Sequence, residues 1–261
     1  MTQSHSRRRI LLAAGAALAT PFLVRPAAAQ QSRTEPLITL PGDITHGDQA
    51  TITRVRTARP LVALTFDDGP HPSLTPQLLD ILAARQIRVT FYVIGSRVVR
   101  QPELTRRIAL AGHEIGNHTW SHPSLSGLGD AAILSELDRT TQAVFDAVGR
   151  PPVTMRPPYG NLSGRQRLMV HRERNLPTVL WSVDPQDWRR PGASVVTSRI
   201  VNAAHPGGVI LAHDIQSGTV NAMPATLDAL LARGYQFVTM SELIGWPRWN
   251  QRRIRLAARA S

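Results

Sequence analysis

The chain of 261 residues predicts an α/β fold organised around a mainly parallel sheet. Three observations carry that expectation. Short apolar runs alternate with longer amphipathic stretches along most of the chain, the pattern of repeated strand–crossover–strand units. The apolar runs are bounded by Gly, Pro and Asp, as buried strands are. Several of them end in acids or imidazoles, as at Asp67-Asp68 and His213-Asp214, and in a barrel-like α/β fold that edge is where active sites assemble. Alternation alone does not separate a barrel from a doubly wound open sheet.

The elements follow in order. Residues 1–29 read as an export segment: Arg7-Arg8-Arg9, then an Ala/Leu-rich stretch to Val24, then Ala27-Ala28-Ala29. A basic start, an apolar middle and an Ala-x-Ala end make a secretory signal, and the paired arginines resemble the twin-arginine type. Cleavage is expected after Ala29, with no membrane span left in the mature chain. Residues 30–59 are a polar lead-in expected to pack on the domain, with a possible strand at 50–55. Residues 61–68 read as a buried strand stopped by Gly69-Pro70. A helix is expected over 75–85, with Ser73 or Thr75 as cap and Pro76 in its first turn. A strand follows over 88–94 and a helix over 103–111. The longest amphipathic pattern, 130–148, predicts a helix capped by Asp130. Further helices are expected over 163–172, 193–203 and 221–233, and strands over 178–183, 209–212 and 236–238. No internal repeat is visible.

Composition narrows the chemistry. With 42% hydrophobic residues the chain can bury a sizeable core, and it has no Cys. Disulfides and thiolate ligands are therefore excluded, and a metal would be held by His and carboxylate. The formal net charge of +12 belongs largely to the two ends. Arg7, Arg8, Arg9 and Arg25 lie in the leader, and Arg248, Arg252, Arg253, Arg255 and Arg259 lie in the tail 245–261, with no acid in either segment. A nucleic-acid-binding domain would carry its basic patch on the fold itself, so no nucleic-acid partner is expected. The tail reads as a solvated end.

Five clusters carry the chemistry. Asp67 and Asp68 close the first long apolar run, where adjacent carboxylates need a cation beside them, either an Arg or a metal. An Asp-Asp-Gly turn with Asp67 capping the next helix is the plain structural alternative. His118 and His122 are spaced i, i+4, which on a helical turn puts both imidazoles on one face. Two imidazoles and one carboxylate make an open facial metal site. His113 lies off that face and reads as a buried structural residue. His46, His71, His171 and His205 are assigned nothing. Met155-Arg156-Pro157-Pro158-Tyr159-Gly160 is a stiff segment that can aim an Arg and a backbone N–H. Trp181-Ser182-Val183-Asp184-Pro185-Gln186-Asp187-Trp188 and Gly208-Val209-Ile210-Leu211-Ala212-His213-Asp214 are two more apolar runs ending in functional side chains.

Together these clusters resemble the five ordered motifs of the polysaccharide deacetylase family, also called the NodB-homology domain or carbohydrate esterase family 4. The match covers roughly residues 60–244, including Thr90–Gly95 and Gly234–Thr239, and shows no departure at a position the family uses for chemistry. The resemblance implies a distorted, incomplete TIM-like (β/α) barrel of about seven parallel strands. It implies that Asp68, His118 and His122 hold one divalent ion, with Zn²⁺ expected and Co²⁺ or Ni²⁺ as alternatives. Asp67 would be the base that deprotonates the attacking water, with Arg156 orienting it. The Tyr159 backbone N–H would help bind the developing oxyanion. His213 would be the general acid aimed by Asp187, with Asp184 as the second candidate for that aiming role. Trp188 and Leu211 would line the sugar groove; for both, ordinary core packing is the plain alternative. The expected activity is removal of N-acetyl groups from N-acetylglucosamine units of peptidoglycan or chitin-type oligomers, in the periplasm or outside, by a monomer. The alternatives are an O-deacetylating esterase of the acetylxylan type and a non-catalytic polysaccharide-binding relative.

Overall fold

A computed structural model describes residues 50–246 and Trp249. The expectations for the leader, for residues 30–49 and for nearly all of the tail lie outside the described residues. Seven strands occur among those described: β1 (Thr51–Ile52), β2 (Leu61–Asp67), β3 (Thr90–Val93), β4 (Glu114–Asn117), β5 (Thr178–Val179), β6 (Gly208–His213) and β7 (Gln236–Phe237). Every pairing between them is parallel.

β2 is the centre because all seven of its residues are buried. Successive side chains point to opposite faces. Val62, Leu64 and Phe66 pack outward into the main core with Phe91, Ile115 and Ile210. Leu61 and Ala63 pack inward with Ile52, Tyr92, Val179 and Val209. The same alternation sends Thr65 and Asp67 inward, so polar groups reach the interior only at the C-terminal end of the strand. β4, β3, β2 and β6 are neighbours in that order, and β7 pairs with the start of β2. Met155 bridges Asn117 to Thr178, and Val183 bridges to Ile210. Residues 155–183 thus carry the ring from β4 round to β6 through single bridges, which leaves an incomplete barrel. β1 pairs with β5, and Ile52 and Val55 are buried, so this part of the lead-in is seated on the fold.

The crossovers are α1 (Leu74–Ala83), α2 (Gly95–Arg100), α3 (Pro102–Leu110), α4 (Asp130–Val148), α5 (Gly164–Arg174), α6 (Ala193–Ala203), α7 (Ser217–Ala232) and α8 (Met240–Leu243). α4 and α6 match the expected limits. Two details differ. Gly129, not Asp130, is the N-cap of α4; Asp130 instead pairs with Arg165 at 2.7 Å. Ser73 sits at the N-cap of α1 without a side-chain bond to the helix amides; its Oγ lies 3.3 Å from His71 Nδ1, and Thr75 turns its hydroxyl to Asp214. α2, α8 and β4 have no counterpart among the expected elements: the two helices are short, and Glu114-Ile115-Gly116-Asn117 is too polar to read as an apolar strand. One glycine in β4 is required by packing. A Cβ on Gly116 would overlap the Tyr92 ring inside the barrel. None of the described helices is long and apolar enough to cross a membrane.

Candidate active site

The C-terminal ends of β2, β4 and β6 open on a cleft of about 430 Å³ lined by Asp67, Asp68, His118, His122, Tyr159, Trp181, Asp184, Trp188, Leu211, His213 and Gln216. Arg156 and Asp187 lie directly behind it, fully buried. All ten residues singled out from the sequence therefore converge on one place.

Asp67 ends β2 facing inward and is not a helix cap. Its Oδ1 accepts from Arg156 Nη1 at 2.7 Å. The guanidinium is over-determined: Nη1 also donates to Thr65 Oγ1 at 2.7 Å, Nε to Val179 O at 3.3 Å and Nη2 to Leu180 O at 3.2 Å. It lies over the Tyr92 ring at 4.3 Å. A buried Arg is tolerated because its charge is paired and its donors are used. This leaves Asp67 Oδ2 toward the cleft, 3.7 Å from His118 Nε2.

Asp68 follows with φ 76, the left-handed turn that swings its carboxylate away from Asp67. Its Oδ1 is buried without a well-formed hydrogen bond and faces His122 Nε2 at 3.1 Å and His118 Nε2 at 3.4 Å. Burial works to raise the Asp68 carboxyl; the two imidazoles outweigh it and hold it well below the usual carboxylate range. His118 Nδ1 lies 2.7 Å from Arg156 O. A carbonyl only accepts, so Nδ1 carries a proton and Nε2 is the ring nitrogen turned toward the carboxylates. One ligand atom from each of Asp68, His118 and His122 lies within 4.8 Å of the others. Two imidazole nitrogens beside a buried carboxylate oxygen, with His118 oriented by its Nδ1 contact to Arg156 O, form a donor set that suits a divalent cation.

The local geometry of the two histidines differs from the expected helical turn. His118 follows the end of β4, and His122 is reached through a loop in which Thr119 (φ 65) and His122 (φ 64) are left-handed. The spacing brings the rings together, 5.0 Å between centroids, but by a tight loop.

On the opposite wall, His213 ends β6. Its Nδ1 lies 2.8 Å from Asp187 Oδ1, and its backbone N–H donates to Asp187 Oδ2 at 2.8 Å. Thr219 also donates to Oδ2, at 2.6 Å. Burial alone would lower the imidazole pKa; Asp187, aided by Asp67 and Asp68, reverses this and pushes it up to about 9. Asp184 is exposed and accepts from Gln186 N–H; the carboxylate that bonds His213 is that of Asp187. Tyr159, 71% exposed, sits with φ 59 in the turn after the double proline; its ring meets His122 edge-on at 4.8 Å. Trp188 is 49% exposed with Arg189 over its face at 4.7 Å, which removes the core reading for it. Leu211 is buried at the cleft floor. Trp181 completes an aromatic wall with Tyr159 and Trp188.

Sequence reasoning missed several supporting groups: Thr65, Thr219, Gln216 and Trp181 as a wall residue. Asp214 is a further case. It is fully buried, is pushed up to about 7 by burial, and presses on Gly69, where any Cβ would overlap its carboxyl. His113 is buried as expected; its Nδ1 accepts from Val89 N–H at 3.2 Å, and burial pushes its pKa down to about 4.

The chain is similar to known polysaccharide deacetylases. A family model described as polysaccharide deacetylase matches residues 54–174. The peptidoglycan-N-acetylglucosamine deacetylase PgdA of Listeria monocytogenes is 41% identical over 184 residues, 70% of this chain. The chain spans 39% of the length of that relative. A chitooligosaccharide deacetylase of Bradyrhizobium sp. is 38% identical over 197 residues, covering 70% of this chain and 90% of that one. Among solved structures, the Bc1960 peptidoglycan N-acetylglucosamine deacetylase superposes with a TM-score of 0.74 at 33% identity, over 77% of this chain and 95% of that chain.

Proposed function

Because the chain belongs to the polysaccharide deacetylase family, we propose that it is a metal-dependent hydrolase that removes the acetyl group from N-acetylglucosamine units of peptidoglycan or chitin-type oligomers. The observation that carries this reading is the meeting, in one cleft, of a two-His, one-Asp donor set, an Arg-held carboxylate and an Asp-held imidazole. The names of the relatives support N-deacetylation over the O-deacetylating alternative. The intact set of acid, base and ligand residues speaks against a binding module without turnover.

Asp68, His118 and His122 would hold the ion, with Zn²⁺ the first choice for such a set. When bound, it supplies Lewis-acid polarisation of the acetamide carbonyl and a lowered pKa for water. Asp67 takes the proton from the attacking water at Oδ2, while Arg156 fixes Oδ1. The Tyr159 backbone N–H donates to the oxyanion that develops as the carbonyl carbon becomes tetrahedral. The amine leaves only when protonated; His213, cationic through Asp187, gives it the proton. Trp188 and Trp181 offer flat faces for sugar C–H surfaces. We further read residues 1–29 as a twin-arginine-type leader that takes the protein to the periplasm or outside, where such polymers lie.

The test is acetate release by the purified mature protein from peptidoglycan, chitin oligomers and acetylxylan side by side. Release from the first two and little from the third supports the reading. Release from acetylxylan alone would move the activity to O-deacetylation, and release from none would leave a binding protein.

A further inference from the structure

We infer that Glu136, a residue of α4 that does not line the cleft, is the positioning residue that makes His118 and His122 a competent ligand pair. The inference rests on the metal-site reading above.

The loop between the histidines has four consecutive backbone N–H groups, and each donates to a side chain. Thr119 N–H goes to Asn117 Oδ1 at 2.9 Å. Trp120 N–H and Ser121 N–H both go to Glu136 Oε2, at 2.9 and 2.8 Å. His122 N–H goes to Thr119 Oγ1 at 3.1 Å. Ser121 Oγ adds a bond to Glu136 Oε1 at 3.0 Å. The carbonyls are used as well: Thr119 O accepts from Gly95 N–H at 2.9 Å and Trp120 O from Ser96 N–H at 3.1 Å. Trp120 is held from two sides, by Arg139 over its ring at 4.1 Å and by close contact with Gly95.

This arrangement explains why an i, i+4 pair that would suit a helix does not form one. Side chains, not carbonyls four residues back, take the amides. The backbone is then free to adopt left-handed angles at Thr119 and His122, and such residues persist only where the surroundings over-determine them. Glu136 accepts three of the donors, two through charge-assisted bonds to one oxygen, which are the stronger kind. Without it the Trp120 and Ser121 amides lose their acceptor on α4, where only Arg139 over the Trp120 ring still ties the loop, and His122 loses the frame that aims it at Asp68 Oδ1.

Glu136→Ala removes all three contacts, whereas Glu136→Gln keeps an acceptor oxygen for the Trp120 and Ser121 amides and an NH₂ that can donate to Ser121 Oγ, and loses only the charge. Metal-free wild type, Glu136→Ala, Glu136→Gln and His118→Ala would be titrated with Co²⁺ and Zn²⁺ by calorimetry. The Co²⁺ visible spectrum would be recorded, with the melting temperature of each metal-free protein alongside. The expected result is an affinity weaker by about 10–100-fold in Glu136→Ala, the range for loss of a group that orients ligands, with a smaller loss in Glu136→Gln. An altered Co²⁺ spectrum and a metal-free melting temperature within a few degrees of wild type should accompany the loss in Glu136→Ala. Wild-type affinity and an unchanged spectrum in Glu136→Ala would overturn the role. Binding by His118→Ala equal to wild type would instead sink the metal-site reading beneath it. If Glu136→Ala fails to fold, Ser121→Ala removes one bond at an exposed residue; a smaller loss of affinity in the same direction is expected, and none would count against the clamp.

Discussion

At the scale of single residues, the site divides its labour by the partner each group has. Asp67 and Asp68 are neighbours in sequence, yet one is tied to a guanidinium and the other faces two imidazoles. Asp67→Asn keeps the shape and the Arg156 contact but removes the proposed proton acceptor. It should lower kcat by about 10²-fold or more while leaving bound metal unchanged, measured by acetate release and metal analysis on the same sample. His213 is held protonated up to about pH 9, so the proposed acid role would be present below that pH and lost as pH rises through it. The alkaline limb of kcat/KM should therefore lie near pH 9. Asp187→Asn should pull that limb down toward the ordinary imidazole range and reduce kcat; a limb that stays in place would show that another group sets it. These residues are legible in the sequence because they sit in short dense motifs at the ends of apolar runs. Glu136, Thr65 and Thr219 are not, since each is one polar residue in an ordinary helix or strand, and only the fold reveals what it holds.

Among the elements, legibility follows length and polarity. The 19-residue α4 has enough amphipathic repeats to fix its own limits, whereas the six-residue α2 does not. β4 is hidden because its polar ends, Glu114 and Asn117, find their partners far away: Ser241 N–H for one, and Leu137 O and Thr141 for the other. Its packing gives a direct prediction. Gly116→Ala would push a methyl group into the Tyr92 ring and should destabilise the fold by about 1–3 kcal/mol, the scale of overpacking. The measurement is urea unfolding, and a neutral result would mean that Tyr92 can move aside. α5 supplies a milder case. Ser163 and Gln166 form a reciprocal capping box, so Ser163→Ala should cost about 1 kcal/mol without altering activity, because neither residue reaches the cleft.

For the molecule as a whole, parallel strands put every functional strand end on one side, and the residues between the ends need only be apolar. That is why five separated motifs can be read as one site from their order and character alone. The ring closure by single bridges at Met155 and Val183 cannot, because one bridge leaves no run of apolar residues to mark it. The proposed export leader is tested at this scale too. Changing Arg7 and Arg8 to Lys should block twin-arginine export while leaving the apolar run intact; unchanged delivery to the periplasm would favour the general secretory route. His118 offers the most direct test of the whole mechanism. Wild-type protein and His118→Ala, stripped and then reloaded with Zn²⁺, would be compared for bound metal and for acetate released from N-acetylglucosamine oligomers and peptidoglycan. The predicted result is that wild type regains about one ion and its activity together, while His118→Ala regains neither. A His118→Ala protein that binds the ion at wild-type affinity, or releases acetate at the wild-type rate without it, would contradict the mechanism.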